Sequence, residues 1–295
     1  MSVPLGDKAP GIGTPPRLSW EQTVEWARKT PEMADLVQVC YYDDPIEGAA
    51  ARFLASEEWP AIKSFLPPKQ GCRVVEVGAG RGIVSWAFAT QGCEVYAVEP
   101  NSSRIVGSGA IRELVQRTGR AVSVVECTGE SLSFPDGLFD YAICRGSLHH
   151  VSHLPQVCRE VFRVLRGGGR FLVLKEHVAD TREELEEFLR VHPLHHLYGG
   201  EHAFTLAEYK RSLREAGFRG LRMFGHFDHP ITSAPAITTQ AIREMAERAF
   251  ADRVPRRVAT WLAGKDEVVH AYRRWLTFRT RIPGRLVSFV ADKRA

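Results

Sequence analysis

A glycine-rich loop set between a β-branched run and a helical stretch restricts this chain more than any other feature. Arg73-Val74-Val75-Glu76-Val77 reads as a strand, Gly78-Ala79-Gly80-Arg81-Gly82 follows at once, and 83–90 carries helical character. Glycines there let the backbone turn tightly and approach a ligand without a Cβ in the way, beside a helix N-terminus. Seventeen residues past Gly82, Glu99 closes the next strand, 93–98. A carboxylate in that place accepts hydrogen bonds from both ribose hydroxyls of an adenosine-containing cofactor. The NAD fingerprint GxGxxG would need a glycine at Ile83, and the spacing here is GxGxG. Glu76, two residues before the first glycine, has no place in that fingerprint. Beside a loop presenting amides, it can accept from a cationic amine such as that of an amino-acid moiety.

Beyond the loop, strand and helix alternate. Strands are expected at 121–125, 139–144, 170–174, 218–224 and 285–290. Helices are expected at 105–117, 154–165, 206–216 (capped by Thr205, closed by Gly217), 238–263 and 265–279. Strands separated by helices in this way imply an α/β fold, a parallel sheet with both faces covered. Ahead of it, Ser19 caps a first helix, 33–42 is a second helix or turn, and a third runs over 46–66 until Pro67-Pro68. The expected organisation is a flexible tail (1–18), a helical cap (19–68), a cofactor-binding core (69–229), a helical insertion or lid (230–283) and a last core strand (284–295).

With 44% hydrophobic and 25% charged residues, the 295-residue chain matches an ordinary globular protein and excludes a disordered or collagen-like one. No apolar run approaches the ~18 residues of a membrane-spanning helix. Residues 1–17 are Pro/Gly-rich without a hydrophobic core, so no secretion signal is expected. Six cysteines at 40, 72, 93, 127, 144 and 158 form no CxxC pair. That scatter fits neither a disulfide framework nor zinc ligation, and points to reduced thiols in a cytoplasmic protein.

Over about 73–175 the chain resembles a class I S-adenosylmethionine-dependent methyltransferase, type 11 domain. The resemblance rests on the Glu76 to Gly82 loop, Glu99-Pro100, Glu130-Ser131-Leu132-Ser133-Phe134-Pro135-Asp136 before Phe139-Asp140, Leu148-His149-His150, and Val164-Leu165-Arg166-Gly167-Gly168-Gly169. It implies a Rossmann-like seven-stranded sheet ordered 3-2-1-4-5-7-6, strand seven antiparallel, with 230–283 inserted between the last two strands. It further implies S-adenosylmethionine as cofactor, with S-adenosylhomocysteine as product. Gly78, Ala79, Gly80 and Gly82 would line its methionine half, with Glu76 beside them, and Glu99 and Pro100 would hold the ribose. Where the family has an aspartate for the adenine amino group, this chain reads Thr128-Gly129-Glu130. The Thr128 hydroxyl or Glu130 would have to substitute. The N-terminal helices and the insertion are expected to roof the cleft.

Methyl transfer to a hydroxyl or amine requires in-line alignment and removal of a proton, a task that suits histidine. His149, His150 and His153 follow the fourth strand and His177 ends the fifth, so His149, His150 and His177 are candidate bases and His153 a candidate acceptor contact. Arg145, at the cleft mouth, is placed to grip an anionic acceptor or the cofactor, or to pair with a local acid. Tyr41 and Tyr42 are candidates to close over the ligands. His192, His195 and His196 have helical ligand spacing, but Pro193 interrupts the helix and no carboxylate completes a triad, so no metal is expected.

The expected function is methyl transfer to an oxygen or nitrogen of a small acceptor: an anionic metabolite, a natural product or a sugar. Two alternatives stand beside it. One is other chemistry on the same fold, such as elimination or cyclisation. The other is an RNA-directed or non-catalytic module, since 241–295 hold 13 Lys and Arg against 6 Asp and Glu while the whole chain carries +4. In that segment Arg273, Arg274, Arg279 and Arg281 interleave with Trp275 and Phe278, a pattern that also suits an amphipathic lid helix. Nucleic acid and membrane are not expected partners, and nothing indicates an oligomer.

Overall fold

The computed structural model describes residues 18–200 and 202–295, so 1–17 of the expected tail lie outside the described residues. Four helices precede the sheet: α1 (Trp20–Lys29), α2 (Ala34–Val39), α3 (Ile46–Ala55) and α4 (Glu58–Phe65). Ser19 caps α1 through a reciprocal capping box with Gln22. The single helix expected over 46–66 is two. Pro60 is tolerated in the first turn of α4 but would break a helix interior, and the chain extends at Ser56, whose Oγ accepts from Glu58 N.

The sheet then alternates with helices. In order come β1 (Arg73–Val77), α5 (Ile83–Thr90), β2 (Glu94–Val98), α6 (Ser108–Thr118), β3 (Ser123–Val125), β4 (Phe139–Arg145), α7 (Leu154–Val164) and β5 (Leu165–Ala179). After them run α8 (Arg182–Val191), α9 (Pro193–Tyr198), β6 (Phe204–Thr205), α10 (Leu206–Glu215), β7 (Arg219–Phe224) and α11 (Pro230–Ser233). The chain ends with α12 (Thr239–Ala251), α13 (Arg256–Ala263), α14 (Asp266–Arg279) and β8 (Arg285–Asp292). The long helix expected over 238–263 is broken ahead of Pro255 into α12 and α13.

The strand order is β3-β2-β1-β4-β5-β8-β7, with β8 antiparallel to both neighbours, which is the expected topology plus one two-residue strand, β6, on β5. Burial follows from it: β1, β4 and β5 are flanked on both sides, and residues such as Val75, Ala142, Ile143, Phe171 and Leu172 are fully buried. One core cluster packs α3, α4 and α5 on one face, and a second packs α7 and α10 on the other. The parallel strands therefore all end at one edge, where doubly wound sheets bind ligands. Helices α11–α14 lie between β7 and β8. No helix among the described residues is long and apolar enough to cross a membrane.

Candidate active site

At the C-terminal end of β1, Gly78, Gly80 and Gly82 all adopt positive φ. The Gly78 and Ala79 amides donate to Val98 O at 2.9 and 3.0 Å, which fastens the loop to the end of β2. A Cβ at Gly78 would stand 2.6 Å from Ser147 Cβ, so only glycine fits; at Gly80 the nearest atom would be 3.8 Å away. Gly82 has a different task. It caps α5, and a Cβ there would meet Ile111 at 2.9 Å, so it sets the α5–α6 packing and does not line the cleft.

Both carboxylates ahead of and behind this loop are buried. Glu99 accepts from Gly80 N (2.8 Å) and Asn101 N (2.9 Å). Burial raises its pKa while those two amides oppose the shift. Glu76 accepts from Ser85 N (2.8 Å) and Ser85 Oγ (2.5 Å) through one oxygen, and burial pushes its carboxyl up to about 7 despite them.

A cleft of about 340 Å³ opens above the loop. Glu76, Gly78, Ala79, Gly80, Glu99 and Pro100 line it from β1 and β2; Thr128, Gly129 and Glu130 line it from the segment after β3. The Glu130 carboxylate is already engaged with the amides of Ser152 and His153. Arg145 and His150 enter from the end of β4, and Tyr41 and Tyr42 from the loop after α2. Trp20 of α1 and Tyr198 of α9 complete an aromatic wall: the Trp20 ring lies 6.0 Å from Tyr42, 5.5 Å from His150 and 5.3 Å from Tyr198. No lining residue comes from 230–283, so among the described residues the roof is built by α1, the loop after α2 and α9.

The candidate histidines divide sharply. His150 lines the cleft, its Nδ1 is buried, and that atom has no hydrogen-bond partner among the described residues. Burial and neighbouring His149 hold its pKa down at about 3, partly opposed by the Gly200 main chain. His149 is buried behind it, its Nδ1 2.8 Å from Glu176 Oε2. His177 is 2.8 Å from Gly284 O through Nδ1, against Phe188, and His153 accepts from Gln156 N as the cap of α7. His149, His153 and His177 do not line the cleft. Among the described residues no three His, Cys, Asp or Glu side chains gather as a metal site requires.

Four charged groups that sequence patterning does not single out organise this region. Glu176, fully buried on β5, accepts from the amides of Ser147, Leu148 and His149, from His149 Nδ1 and from Tyr209 Oη, so one carboxylate shapes the turn that presents His150. Glu58, also fully buried, takes Arg145 through both oxygens (2.7 and 3.1 Å) and Lys175 Nζ at 2.8 Å. Arg145 is thus held by a local acid, its guanidinium 5.1 Å from the Tyr41 ring centre. Lys175 sits at a bulge in β5 with φ 57°, where its ammonium reaches Glu58 and the Ala234 carbonyl. Arg81, 5% exposed, donates to Tyr41 O, Asp43 O and Asp44 Oδ1, which clamps the tyrosine loop to the glycine loop. A charged residue inside an apolar strand, as in Leu174-Lys175-Glu176-His177, was the signal for two of these.

Comparison with known proteins agrees with this geometry. Residues 75–173 match the family described as methyltransferase domain. An uncharacterized methyltransferase, YcgJ of Bacillus subtilis, is 34% identical over 117 residues, 40% of this chain and 45% of the relative. The O-methyltransferase resE of Aspergillus sclerotiorum is 27% identical over 197 residues, 65% of this chain and 72% of its own. Among solved structures, phosphoethanolamine N-methyltransferase 2 of Haemonchus contortus, in complex with S-adenosyl-L-methionine, superposes with a TM-score of 0.54. It is 19% identical and the match covers 81% of this chain and 52% of that one, a likeness of fold. The chain spans less than half the length of the first of these relatives and about half of the last. Over residues 75–173, about a third of its length, the chain is similar to the methyltransferase domain family, and the fold around that segment is the one its solved relatives share.

Proposed function

We propose that this protein transfers a methyl group from S-adenosylmethionine to a hydroxyl oxygen of a small molecule held between the glycine loop and the aromatic wall. The observation that carries the reading is His150 in the wall of a cleft that also presents Glu76, the glycine loop and Glu99, with its buried Nδ1 lacking a hydrogen-bond partner among the described residues. The chain fits the cofactor. Gly80 lines the cleft without a Cβ, Glu99 offers a carboxylate at the end of β2, and about 340 Å³ is within the range of small-molecule sites. When bound, S-adenosylmethionine supplies an electrophilic methyl on a sulfonium.

The chain's own residues do the rest. Glu76 receives the ammonium of the amino-acid moiety and Glu99 the ribose hydroxyls. Arg145 and Lys175, two cations against the single carboxylate of Glu58, place a net positive charge beside the carboxylate end. Trp20, Tyr42 and Tyr198 exclude water and stack on the acceptor. His150 Nδ1 accepts the acceptor's O–H and so aims its lone pair. A pKa of about 3 leaves this imidazole neutral and weakly basic at physiological pH. Weak basicity suffices for a hydroxyl, because an oxygen gaining a methyl becomes a far stronger acid than imidazolium and gives up its proton late. An amine would stay protonated against such a base, which favours oxygen over nitrogen. The similarity to resE, named an O-methyltransferase, supports the same choice.

The test is calorimetric titration with S-adenosylmethionine, S-adenosylhomocysteine and NAD, followed by a methyl-transfer screen over hydroxyl and amine acceptors. Binding of the two adenosyl ligands, with turnover of hydroxyl acceptors lost in His150→Ala, is the expected result. Binding of NAD alone overturns it.

A further inference from the structure

Cys72 and Cys93 stand at the start of two adjacent parallel strands. Arg73 of β1 pairs with Glu94 of β2, so the cysteines immediately before them face each other in register. Their sulfurs are 3.0 Å apart. Each follows a glycine with positive φ, Gly71 and Gly92, and the two turns are tied together by Gly71 N to Gly92 O (2.8 Å) and Glu94 N to Cys72 O (2.9 Å). Neighbouring strands lie about 4.8 Å apart, inside the Cα separation of roughly 4.4–6.8 Å that a disulfide spans. The backbone is thus already at bonding separation and pinned there by main-chain hydrogen bonds. The other four cysteines lie elsewhere, with Cys144 and Cys158 fully buried.

We infer that Cys72 and Cys93 are a dithiol oxidation site, which a hydroperoxide converts to an intramolecular disulfide and a thiol reductant restores. Cys72, the more accessible, reacts first: its sulfur attacks a peroxide oxygen, the O–O bond breaks, and Cys72 becomes a sulfenic acid with release of water (from hydrogen peroxide) or an alcohol. The sulfur of Cys93 then attacks that of Cys72. The S–S bond forms, the S–O bond breaks, and the hydroxide leaves as water with the proton of the Cys93 thiol. Two thiols are oxidised and one peroxide is reduced. The linkage closes a short loop through α5 and adds a covalent tie where β1 and β2 begin, about 16 Å along the strands from the cofactor loop. It should therefore stabilise the domain without changing cofactor affinity.

The experiment uses the full chain, reduced and then treated with hydrogen peroxide, followed by non-reducing peptide mapping. The expected first product is a Cys72–Cys93 linked peptide, lighter by two hydrogens and reversed by dithiothreitol. Its thermal midpoint should rise by about 2–6 °C. In Cys93→Ser, a dimedone adduct should accumulate at Cys72; in Cys72→Ser, Cys93 should stay unlabelled. Oxidation appearing first at Cys40 or Cys127 without the linked peptide would overturn the inference, as would a linkage seen only after denaturation. The wild-type map needs neither variant to fold.

Discussion

Glu176 Oε2 lies 3.0 Å from the main-chain nitrogen of His149 and 2.8 Å from its imidazole Nδ1, so a single carboxylate oxygen holds both ends of that residue. The two bonds fix the imidazole as an Nδ1 donor and fix the turn that carries His150 into the cleft. His149 in turn accepts, through its carbonyl, from the amides of His202 and Ala203. The turn is therefore anchored to β5 on one side and to the chain entering β6 on the other.

Replacing that carboxylate tests the anchor. Glu176→Gln keeps the shape but confronts donors with an NH2, leaving buried amides unpaired. It should lower stability by about 2–4 kcal/mol, measured by denaturant unfolding, with a larger fall in turnover than in cofactor affinity. Tyr209→Phe removes only one neutral donor and should cost about 1 kcal/mol.

Glu99→Ala should weaken S-adenosylmethionine binding by at least about tenfold, since it removes the proposed ribose acceptor together with the bond that shapes Gly80. Glu99→Gln retains one acceptor and should fall between wild type and alanine in the same calorimetric titration. Equal affinity in all three proteins would remove Glu99 from the site.

Arg81→Ala releases the tyrosine loop from the glycine loop. Three donations disappear, one of them to Asp44, which is largely exposed, so the stability cost should be about 2 kcal/mol rather than that of a buried pair. The more telling readout is limited proteolysis, where cleavage near 40–45 should speed up in the variant. Cofactor should restore protection in wild type more than in the variant.

Much of this architecture could be read directly from the chain. Apolar strands and an interrupting glycine cluster are local features, so strand order, the Glu76 and Glu99 placements and the His150 position all follow from short windows and from resemblance. The charged network could not be read in that way. Arg145 and Glu58 are 87 residues apart and Lys175 and Glu58 are 117 apart, and no local pattern reports a contact of that range. Pro60 marked the α3–α4 break, yet the apolar run over 46–66 read as one helix. The two-residue strand β6 owes its existence to β5 alone and has no period to detect.

Glu76 predicts how cofactor affinity depends on pH. Burial raises its pKa to about 7, so folding favours the neutral acid: this contribution to stability is complete below the ordinary value of 4.5 and is lost as pH rises through 7. Binding a cationic amine runs the other way, because it needs the carboxylate. S-adenosylmethionine affinity should rise by up to about tenfold per pH unit below 7 and level off above it, with proton release measurable by titration in buffers of different ionisation enthalpy. Glu76→Gln should bind weakly at every pH and show no such slope.

His150 makes a separate prediction about turnover at saturating cofactor. With a pKa of about 3, it does not titrate between pH 5 and 9, so kcat should show no histidine limb near 6 or 7. Any acid limb should appear in the cofactor Kd, through Glu76, and vanish from kcat once the cofactor saturates. His150→Ala should lower kcat about 10²-fold or more while leaving the cofactor Kd within about twofold, since in the proposed reading the lost group meets the acceptor. His150→Gln keeps a hydrogen-bond acceptor without a proton-accepting nitrogen, so it should recover acceptor KM more than kcat. Recovery of kcat to wild type in the glutamine variant would show that His150 only orients the hydroxyl and that the proton leaves by another route.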